Sequence, residues 1–419
     1  MAPFSSLMHA SLSRPRLALL GGLLAVAATA SAQTQNQATI TTAVPILTLA
    51  PDARSSALGD AGVATSPDAN SAYFNPGKLG FVPYKYSASA SYSPWLRNIT
   101  DDMSISYLSG YGKIGQRSAL GASLMYFDLG TIDYRTANNI PYGNFSPKEY
   151  AFSVSYGQAL TDNFGVGVSA RYIRSNLVGA INGNDAQPGN AAAVDLGTYY
   201  NKDLTVGTGL YNLALGASII NIGNKITYTD PNNPSFLPTT LKLGTAITRE
   251  IDQFNKITLV FDASKLMVPS PYYETGADLA NPVTVARIRK ENEDRNAQPL
   301  VKALFTSFGD APGGFKEELR EINISTGLEY NYNDLLYARG GYFYEARDKG
   351  DRQYASLGLG VRYQVFGIDG TYLVPTGDGS KNNPLAQTIR ISLHFNLNTL
   401  SQAFDEGGAG GTSGDAPSN

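Results

Sequence analysis

Cysteine is absent from the 419 residues, which excludes several kinds of site. A chain without cysteine forms no disulfide, no cysteine-ligated metal site, no thiol nucleophile and no lipoprotein anchor. Charge is also scarce. Only 16% of the residues are charged, and the net charge of −3 gives no electrostatic reason to expect a nucleic acid partner. The sequence predicts no metal and no cofactor.

Long hydrophobic runs are also lacking. The longest apolar stretch is residues 17–28, which is shorter than the ~20 residues that a spanning helix needs. Arg14 and Arg16 precede this stretch, and Ala30-Ser31-Ala32 provides a small-residue cleavage site before Gln33. We therefore expect residues 1–32 to be a signal peptide and the mature chain to be exported without a transmembrane helix.

Glycine and aromatic residues are plentiful, with 43 Gly, 26 Tyr and 17 Phe. This composition favours a β-rich chain with aromatic residues at membrane interfaces. The mean hydropathy of −0.17 does not argue against a membrane barrel, because barrel strands alternate between a lipid-facing and a lumen-facing side. Hydropathy therefore does not separate a barrel from a secreted soluble β-protein, and periodicity must decide.

The clearest period of two lies in the last apolar segment. Odd positions from Ile389 to Leu397 are apolar, whereas even positions from Arg390 to Asn396 are polar. Similar segments recur along the chain, although residues 117–130 alternate ambiguously. We predict about 14 strands, which begin near residues 84, 103, 117, 148, 163, 191, 206, 239, 256, 321, 335, 352, 366 and 387.

Connection lengths also alternate. Tight turns are predicted at residues 113–116, 161–162, 201–203, 332–334 and near Phe366, and the intervening segments are mostly longer. The longer segments run through Trp95 and through 131–147, 178–190, 223–238, 265–320 and 375–386. Short periplasmic turns and long extracellular loops are typical of an outer-membrane barrel. A secreted β-sandwich or a solenoid is the alternative, but no internal repeat supports a solenoid.

The fold class predicted is thus all-β, a transmembrane antiparallel β-barrel over residues 84–397. Residues 33–83 do not alternate and are interpreted as an N-terminal plug, or alternatively as a periplasmic extension. Two short helices are expected there, one from Asp52 to Leu58 that ends at Gly59, and one with Ser66 as N-cap and Pro67 at its first position. Residues 398–419 have little to bury and are expected to be a disordered, periplasmic tail.

Several strings resemble known outer-membrane barrels. Residues 52–54 (DAR), 59–64 (GDAGVA), 68–71 (DANS) and 75–76 (NP) resemble the N-terminal region of the FadL-like barrels. The strings at 93–98 (SPWLRN), 308–319 (FGDAPGGFKEEL) and 339–345 (RGGYFYE) are similar to the PorV (LptO) family of that group. The resemblance extends from about Ala43 to Leu397.

This resemblance implies a non-enzymatic role in type IX protein secretion. Members of the family collect exported cargo by its C-terminal signal domains at the translocon barrel SprA (Sov). They then shuttle the cargo to an attachment complex that contains the sortase PorU. The partners implied are these proteins, the cargo signal domains and outer-membrane lipid. The alternatives are a FadL-like channel for hydrophobic compounds and a lipopolysaccharide deacylase.

Apolar residues within the predicted loops are the candidate contacts for cargo or partners, since exposed apolar loop residues often mark interaction surfaces. They are Trp95, Leu96, Tyr142, Phe145, Phe236, Leu237, Phe308 and Phe315. For Trp95, the only tryptophan, a place in the interfacial aromatic belt is equally consistent with the sequence. The charge-dense stretch 286–295 is interpreted as a solvated face.

Charged residues on the lumen side are predicted to form structural ion pairs, with transport as the alternative. They are Arg171, Glu329, Arg339, Arg362 and Arg390. No catalytic residue is predicted. His394 is the one histidine of the mature chain, and no Gly-x-Ser-x-Gly motif accompanies it. Ser392 shares its strand face and is a weak candidate for a nucleophile.

Overall fold

The computed structural model describes residues 38–96, 100–136, 138–177, 187–229, 234–376 and 388–398. The predicted signal peptide lies outside the described residues, as does the predicted tail from residue 399 onward. Among the described residues, no helix has the length and apolar character needed to cross a bilayer.

Fourteen antiparallel strands close into a barrel, in which each strand pairs with its neighbours in sequence and the first strand pairs with the last. A separate two-stranded sheet, β4–β5, projects from the connection between β3 and β6. The strands are β1 Tyr86–Pro94, β2 Met103–Lys113, β3 Ser118–Leu129, β4 Ile132–Arg135, β5 Pro141–Phe145, β6 Lys148–Ala159, β7 Phe164–Asn176, β8 Gly189–Val206, β9 Gly209–Gly223, β10 Thr240–Glu250, β11 Asn255–Leu266, β12 Ile322–Tyr332, β13 Leu336–Tyr344, β14 Gln353–Tyr363, β15 Phe366–Pro375 and β16 Ile389–Leu397. The predicted barrel of about 14 strands is confirmed.

Alternate residues of each strand face outward and inward, as the period of two predicts. On β16, Ile391 and Leu393 are 46% and 44% exposed, whereas Arg390 and Ser392 are buried. The ambiguous segment 117–130 is strand β3, with Leu120 and Leu124 on the outer face. The outer surface is therefore a continuous apolar band, the surface that a bilayer covers.

Short turns lie at one end of the barrel and the longer connections at the other. The β12–β13 turn places Asn333 and Asp334 at φ 54° and 52°, the left-handed conformation of a tight hairpin turn. The turn predicted at residues 201–203 is wrong, because β8 continues to Val206 and pairs with β9 up to the turn at Gly207. The polar residues 201–203 therefore belong to the paired strands of the β8–β9 hairpin.

An N-terminal segment occupies the barrel lumen, as predicted for a plug. It contains a 3-10 turn Pro45–Thr48, helix α1 Ala53–Ala57, helix α2 Ser71–Phe74 and a 3-10 helix Pro76–Phe81. The Asp52 carboxylate caps α1 by accepting a hydrogen bond from Ser55 N–H at 2.9 Å. The second helix begins at Ser71, so the start predicted at Ser66–Pro67 is wrong.

This N-terminal segment passes along the lumen from one end of the barrel to the other. The Ala43 N–H donates to the Phe236 carbonyl in the β9–β10 connection, so the segment begins among the long connections. It ends at Pro83 beside the short β2–β3 turn, where the Pro83 carbonyl accepts from Lys113.

The longest connection joins β11 to β12 and contains three helices. These are α3 Pro282–Ala297, α4 Leu300–Thr306 and α5 Phe315–Arg320. Asn281 caps α3 through a hydrogen bond from Val283 N–H at 2.9 Å, and Pro282 occupies the first helical position. A short 3-10 turn, Arg347–Lys349, lies in the β13–β14 connection.

Candidate functional site: plug, cavities and outer loops

A buried ion network joins the plug to the barrel wall. Arg54 of α1 lies 3.0 Å from Glu329 on β12 and 3.0 Å from Asp68. Arg339 on β13 lies 2.6 Å from the same Glu329 and 2.8 Å from Asp369 on β15. Removing one partner of a buried ion pair leaves the other charge buried without compensation, so this network stabilises the docked plug.

The other predicted lumenal charges are also satisfied. Arg171 pairs with Asp195 at 2.8 Å, and Arg362 pairs with Asp369 at 2.6 Å. Arg390 differs, because its guanidinium donates to the Ala50 carbonyl and the Ser56 hydroxyl of the plug. The predicted structural pairing is confirmed for Arg171, Glu329, Arg339 and Arg362, whereas Arg390 binds plug oxygen atoms.

His394 belongs to this network. Its Nε2 lies 2.8 Å from the Asp369 carboxylate. The Ser392 hydroxyl accepts from the Ala53 N–H of the plug at 2.9 Å and is 2.7 Å from the Ser91 hydroxyl. His394 is thus held by a hydrogen bond within the wall, and Ser392 joins the wall to the plug.

Glycines on the inner wall make room for the plug backbone. A Cβ added to Gly327 would lie 2.7 Å from the Leu58 Cα, and one added to Gly341 would overlap the backbone between Leu58 and Gly59. Gly59 itself has φ +67°, a conformation that glycine adopts without strain. The backbone of the plug thus packs directly against the backbone of the wall at these glycines.

Two cavities flank the plug. One of 820 Å³ lies toward the short turns and is lined by Arg54, Arg339 and His394. The other, of 770 Å³, lies among the long connections and is lined by residues 41–45, Tyr228, Phe236 and the polar face of α3. No described residue lines both cavities, and the plug lies between them.

The structure buries three of the predicted partner contacts, so their expected exposure is wrong. Trp95 is 9% exposed and packs edge-to-face on Phe127 with ring centroids 6.1 Å apart. Phe236 packs with Val268 and Ala303 of the β11–β12 connection. Leu237 is in the cluster that also contains Trp95, and Leu96 packs partly buried against it.

The physical reason is that these connections fold inward over the plug. Residues 43–50 of the N-terminal segment supply an apolar surface at the loop end of the lumen. Burying a tryptophan against that surface removes a large apolar area from water. An apolar residue in a loop has the same sequence signature whether it points to solvent or to the lumen, so the sequence did not distinguish the two.

Tyr142 and Phe145 lie on the hairpin β4–β5. Tyr142 is 48% exposed and stacks on Tyr134 across the hairpin, with ring centroids 6.0 Å apart. Ile132 and Ile140 are 48% and 60% exposed. Among the described strands, β4 and β5 pair only with each other, so both edges of the hairpin have free backbone groups. The sequence analysis did not predict this hairpin, for which Asn138, Asn139 and Gly143 were the available turn signals.

Phe308 and Phe315 are exposed, at 52% and 75%. They flank the turn before α5, and with Leu319 they line a 250 Å³ groove against the outer barrel wall. These two residues therefore lie beside the wall, away from the lumen mouth.

The opposite side of α5 is acidic and buried. Glu318 and Glu321 accept from Lys265 of β11, the former at 3.0 Å, and Lys349 pairs with Glu321 at 2.9 Å and with Glu317. These pairs fix the end of the longest connection.

Glu317 also binds two donors within the same connection. Its carboxylate accepts from Tyr273 at 2.9 Å and from the Gly313 N–H at 2.6 Å. Burial raises the pKa of Glu317, but the hydrogen bonds from Lys349, Gly313 and Tyr273 outweigh burial and hold this pKa below its ordinary value. Burial and the bond to Glu317 raise the pKa of Tyr273 to about 12.

A closed barrel with an apolar outer band and a plugged lumen defines the class of outer-membrane β-barrels. Residues 32–273, more than half of the chain, match the family model described as type IX secretion system protein PorV. The chain belongs to the PorV family, and it is thus an outer-membrane component of type IX secretion. Comparison with curated proteins gave no match.

Solved barrels of similar architecture include three transporters or their homologues. The Ralstonia pickettii toluene transporter TbuX is 13% identical, with 83% of this chain and 98% of that chain covered and a TM-score of 0.44. The Pseudomonas putida toluene transporter TodX is 11% identical, with 83% and 99% covered and a TM-score of 0.45. A Pseudomonas aeruginosa FadL homologue is 9% identical, with 86% and 99% covered and a TM-score of 0.40.

Proposed function

We propose that this barrel binds the C-terminal signal domains of exported proteins and passes them from the translocon barrel SprA (Sov) to the attachment complex that contains the sortase PorU. It acts by binding and does not catalyse a reaction. Membership of the PorV family supports a role in type IX secretion. The observation that carries the binding role is the exposed hairpin β4–β5.

Three properties make this hairpin suited to binding another protein. It presents Ile132, Ile140 and Tyr142 to solvent, which gives an apolar anchor of the kind that dominates protein interfaces. Its unpaired edges offer backbone donors and acceptors to an added strand. The stacked Tyr134 and Tyr142 rings hold its shape without a packed core beneath it. A strand of a cargo domain could pair with such an edge.

The packed plug supports a binding role over a channel for hydrophobic compounds. Its backbone touches the wall at Gly327 and Gly341, and its Arg54 is paired on both sides. A channel that runs through the plugged lumen would have to break these contacts. Uptake of long-chain fatty acids by the purified barrel would favour the channel and count against the proposal.

The test replaces Ile140 and Tyr142 with serine in the full chain. Affinity purification from mildly solubilised membranes measures recovered cargo, translocon and sortase against the amount of barrel. Loss of two anchors should weaken cargo binding by about 2 kcal/mol, which is roughly 30-fold, with barrel abundance unchanged. The matched control is Ile114→Ser, which removes a 59% exposed isoleucine at the opposite end of the barrel. Unchanged cargo recovery in the double variant would refute the assignment of the hairpin, and absence of every secretion component would refute the function.

A further inference from the structure

The end of the β11–β12 connection packs on the outside of the barrel. Alternation places Leu259, Phe261 and Lys265 on the outer side of β11, and the first two are 54% and 43% exposed. Lys265 is only 7% exposed, because Glu318 and Glu321 cover and pair with it. Helix α5 therefore lies against the outer wall near the end of the strands, where the lipid-facing band stops.

Helix α5 has its polar side toward the protein and its apolar side outward. Glu317, Glu318 and the following Glu321 are all buried in the ion cluster with Lys265 and Lys349. Phe315 and Leu319, four residues apart, are 75% and 52% exposed. A helix at the surface of a water-soluble protein shows the opposite arrangement, with its apolar side toward the core.

The exposed apolar side chains form one wall of the 250 Å³ groove described above. The barrel supplies the other wall through Leu241, Leu243 and Ile322, all on the outer face of their strands. The groove is thus continuous with the lipid-facing band. Its volume is below the ~300–1,000 Å³ that is usual for pockets that enclose a small-molecule ligand. It suits a single flexible chain that arrives from the membrane side.

The exposed charges of this region are basic. Lys302 on α4 and Lys316 on α5 are exposed, as are Val301 and Phe305, four residues apart on α4. The acidic side chains of α5 are buried in ion pairs, so α4 and α5 expose cations and apolar groups together. Lysine combined with phenylalanine and leucine is the composition of segments that lie in the interface of anionic membranes.

We propose that the groove between α5 and the outer wall binds an acyl chain of a membrane lipid, with Lys302 and Lys316 facing its phosphate-bearing, anionic head group. The lipid belongs to the leaflet beside the long connections. This site is separate from the cargo hairpin, and it gives Phe308, Phe315 and Leu319 a role in the membrane interface. A bound lipid holds the α4–α5 region against the wall and so fixes one side of the loop surface.

The absence of cysteine allows single spin labels to be placed in the full-length barrel. Labels at Leu319→Cys in the groove, Leu259→Cys on the lipid-facing wall and Glu293→Cys on α3 give a test site and two references. The barrel is reconstituted in phosphatidylglycerol or phosphatidylcholine vesicles. The measurement is the accessibility of each label to oxygen, which partitions into lipid, and to a water-soluble nickel chelate.

In phosphatidylglycerol vesicles, the label at 319 should match that at 259, with high oxygen and low nickel accessibility. The double substitution Lys302→Gln and Lys316→Gln should shift the accessibility of the label at 319 toward that of the label at 293. The same shift is expected in phosphatidylcholine vesicles when both lysines are retained. Nickel accessibility at 319 equal to that at 293 in both lipids would overturn the proposal. Low accessibility to both reagents would also overturn it, because a protein surface would then occupy the groove.

Discussion

At the scale of single residues, the most informative group is Glu317, which accepts hydrogen bonds from Lys349, Tyr273 and the Gly313 backbone. Because its pKa is lower in the folded loop than in the unfolded chain, its contribution to stability is complete above the unfolded pKa. That contribution is lost as the pH falls through the folded pKa. We therefore predict that α5 is firmly docked at neutral pH and loosens in acid, below about pH 4.

A spin label at Lys316→Cys on α5 reports this change through its mobility. Mobility should rise in acid at this position, while a label at Glu293→Cys on α3 serves as the control. Adding Glu317→Gln removes the titrating group and should make mobility at 316 higher at neutral pH and less dependent on pH. A label whose mobility stays constant through the acid range would show that Glu317 does not hold α5.

Single residues also show where sequence reasoning ended. Lys265 was predicted to begin the long connection 265–320, whereas it lies on β11, and the packing of α5 buries it. Trp95 is a similar case, since its loop position suggested exposure and its packing on Phe127 buries it. Both depend on which way a long connection folds, and this is decided by contacts between distant parts of the chain.

At the scale of elements, strands were predictable because each one repeats the same inward and outward alternation over several residues. The β8–β9 turn was misplaced because Asn201, Lys202 and Asp203 are polar, as turn residues are, yet they extend the hairpin beyond the apolar band. Polar residues are compatible with a paired strand outside the lipid. The hairpin β4–β5 was hidden for a related reason, since a two-stranded sheet without a buried face has little periodic burial.

Plug docking gives a prediction at this scale, with a matched pair of adjacent glycines on β13. A methyl group at Gly341 would overlap the plug backbone at Leu58 and Gly59, whereas one at Gly340 would have its nearest heavy atom at 3.8 Å. Gly341→Ala should destabilise the folded barrel by about 1–3 kcal/mol through overpacking. Gly340→Ala should be neutral. The temperature at which the detergent-solubilised barrel unfolds, followed by gel mobility, measures both, and equal values would contradict direct contact between plug and wall.

At the scale of the whole molecule, the plug joins the two ends of the barrel. Its apolar start packs with Trp95 and Phe127 among the long connections, its middle is paired through Arg54 to the wall, and its end packs near the short turns. Glycine contacts, ion pairs and the apolar cluster thus all hold the plug in the lumen. We propose that a barrel closed in this way presents β4–β5 to partners and the α4–α5 region to lipid.

The orientation of the molecule in the membrane is the last prediction, and it follows from the sorting of connections and the path of the plug. Long connections face the exterior in outer-membrane barrels, so Asn139 at the tip of β4–β5 should be extracellular and Asn333 in a short turn periplasmic. Thr41 is exposed beside the long connections, because residues 41–45 line the cavity there. It should therefore also be reachable from outside, although it precedes the first barrel strand. Single Cys variants at 41, 139 and 333 can be treated on intact cells with a membrane-impermeant maleimide.

We expect labelling at 41 and 139 on intact cells, and at 333 only after permeabilisation. Labelling of position 333 on intact cells would show that the barrel has the opposite orientation in the membrane. If position 41 alone were protected from labelling, the plug would enter the lumen from the other end.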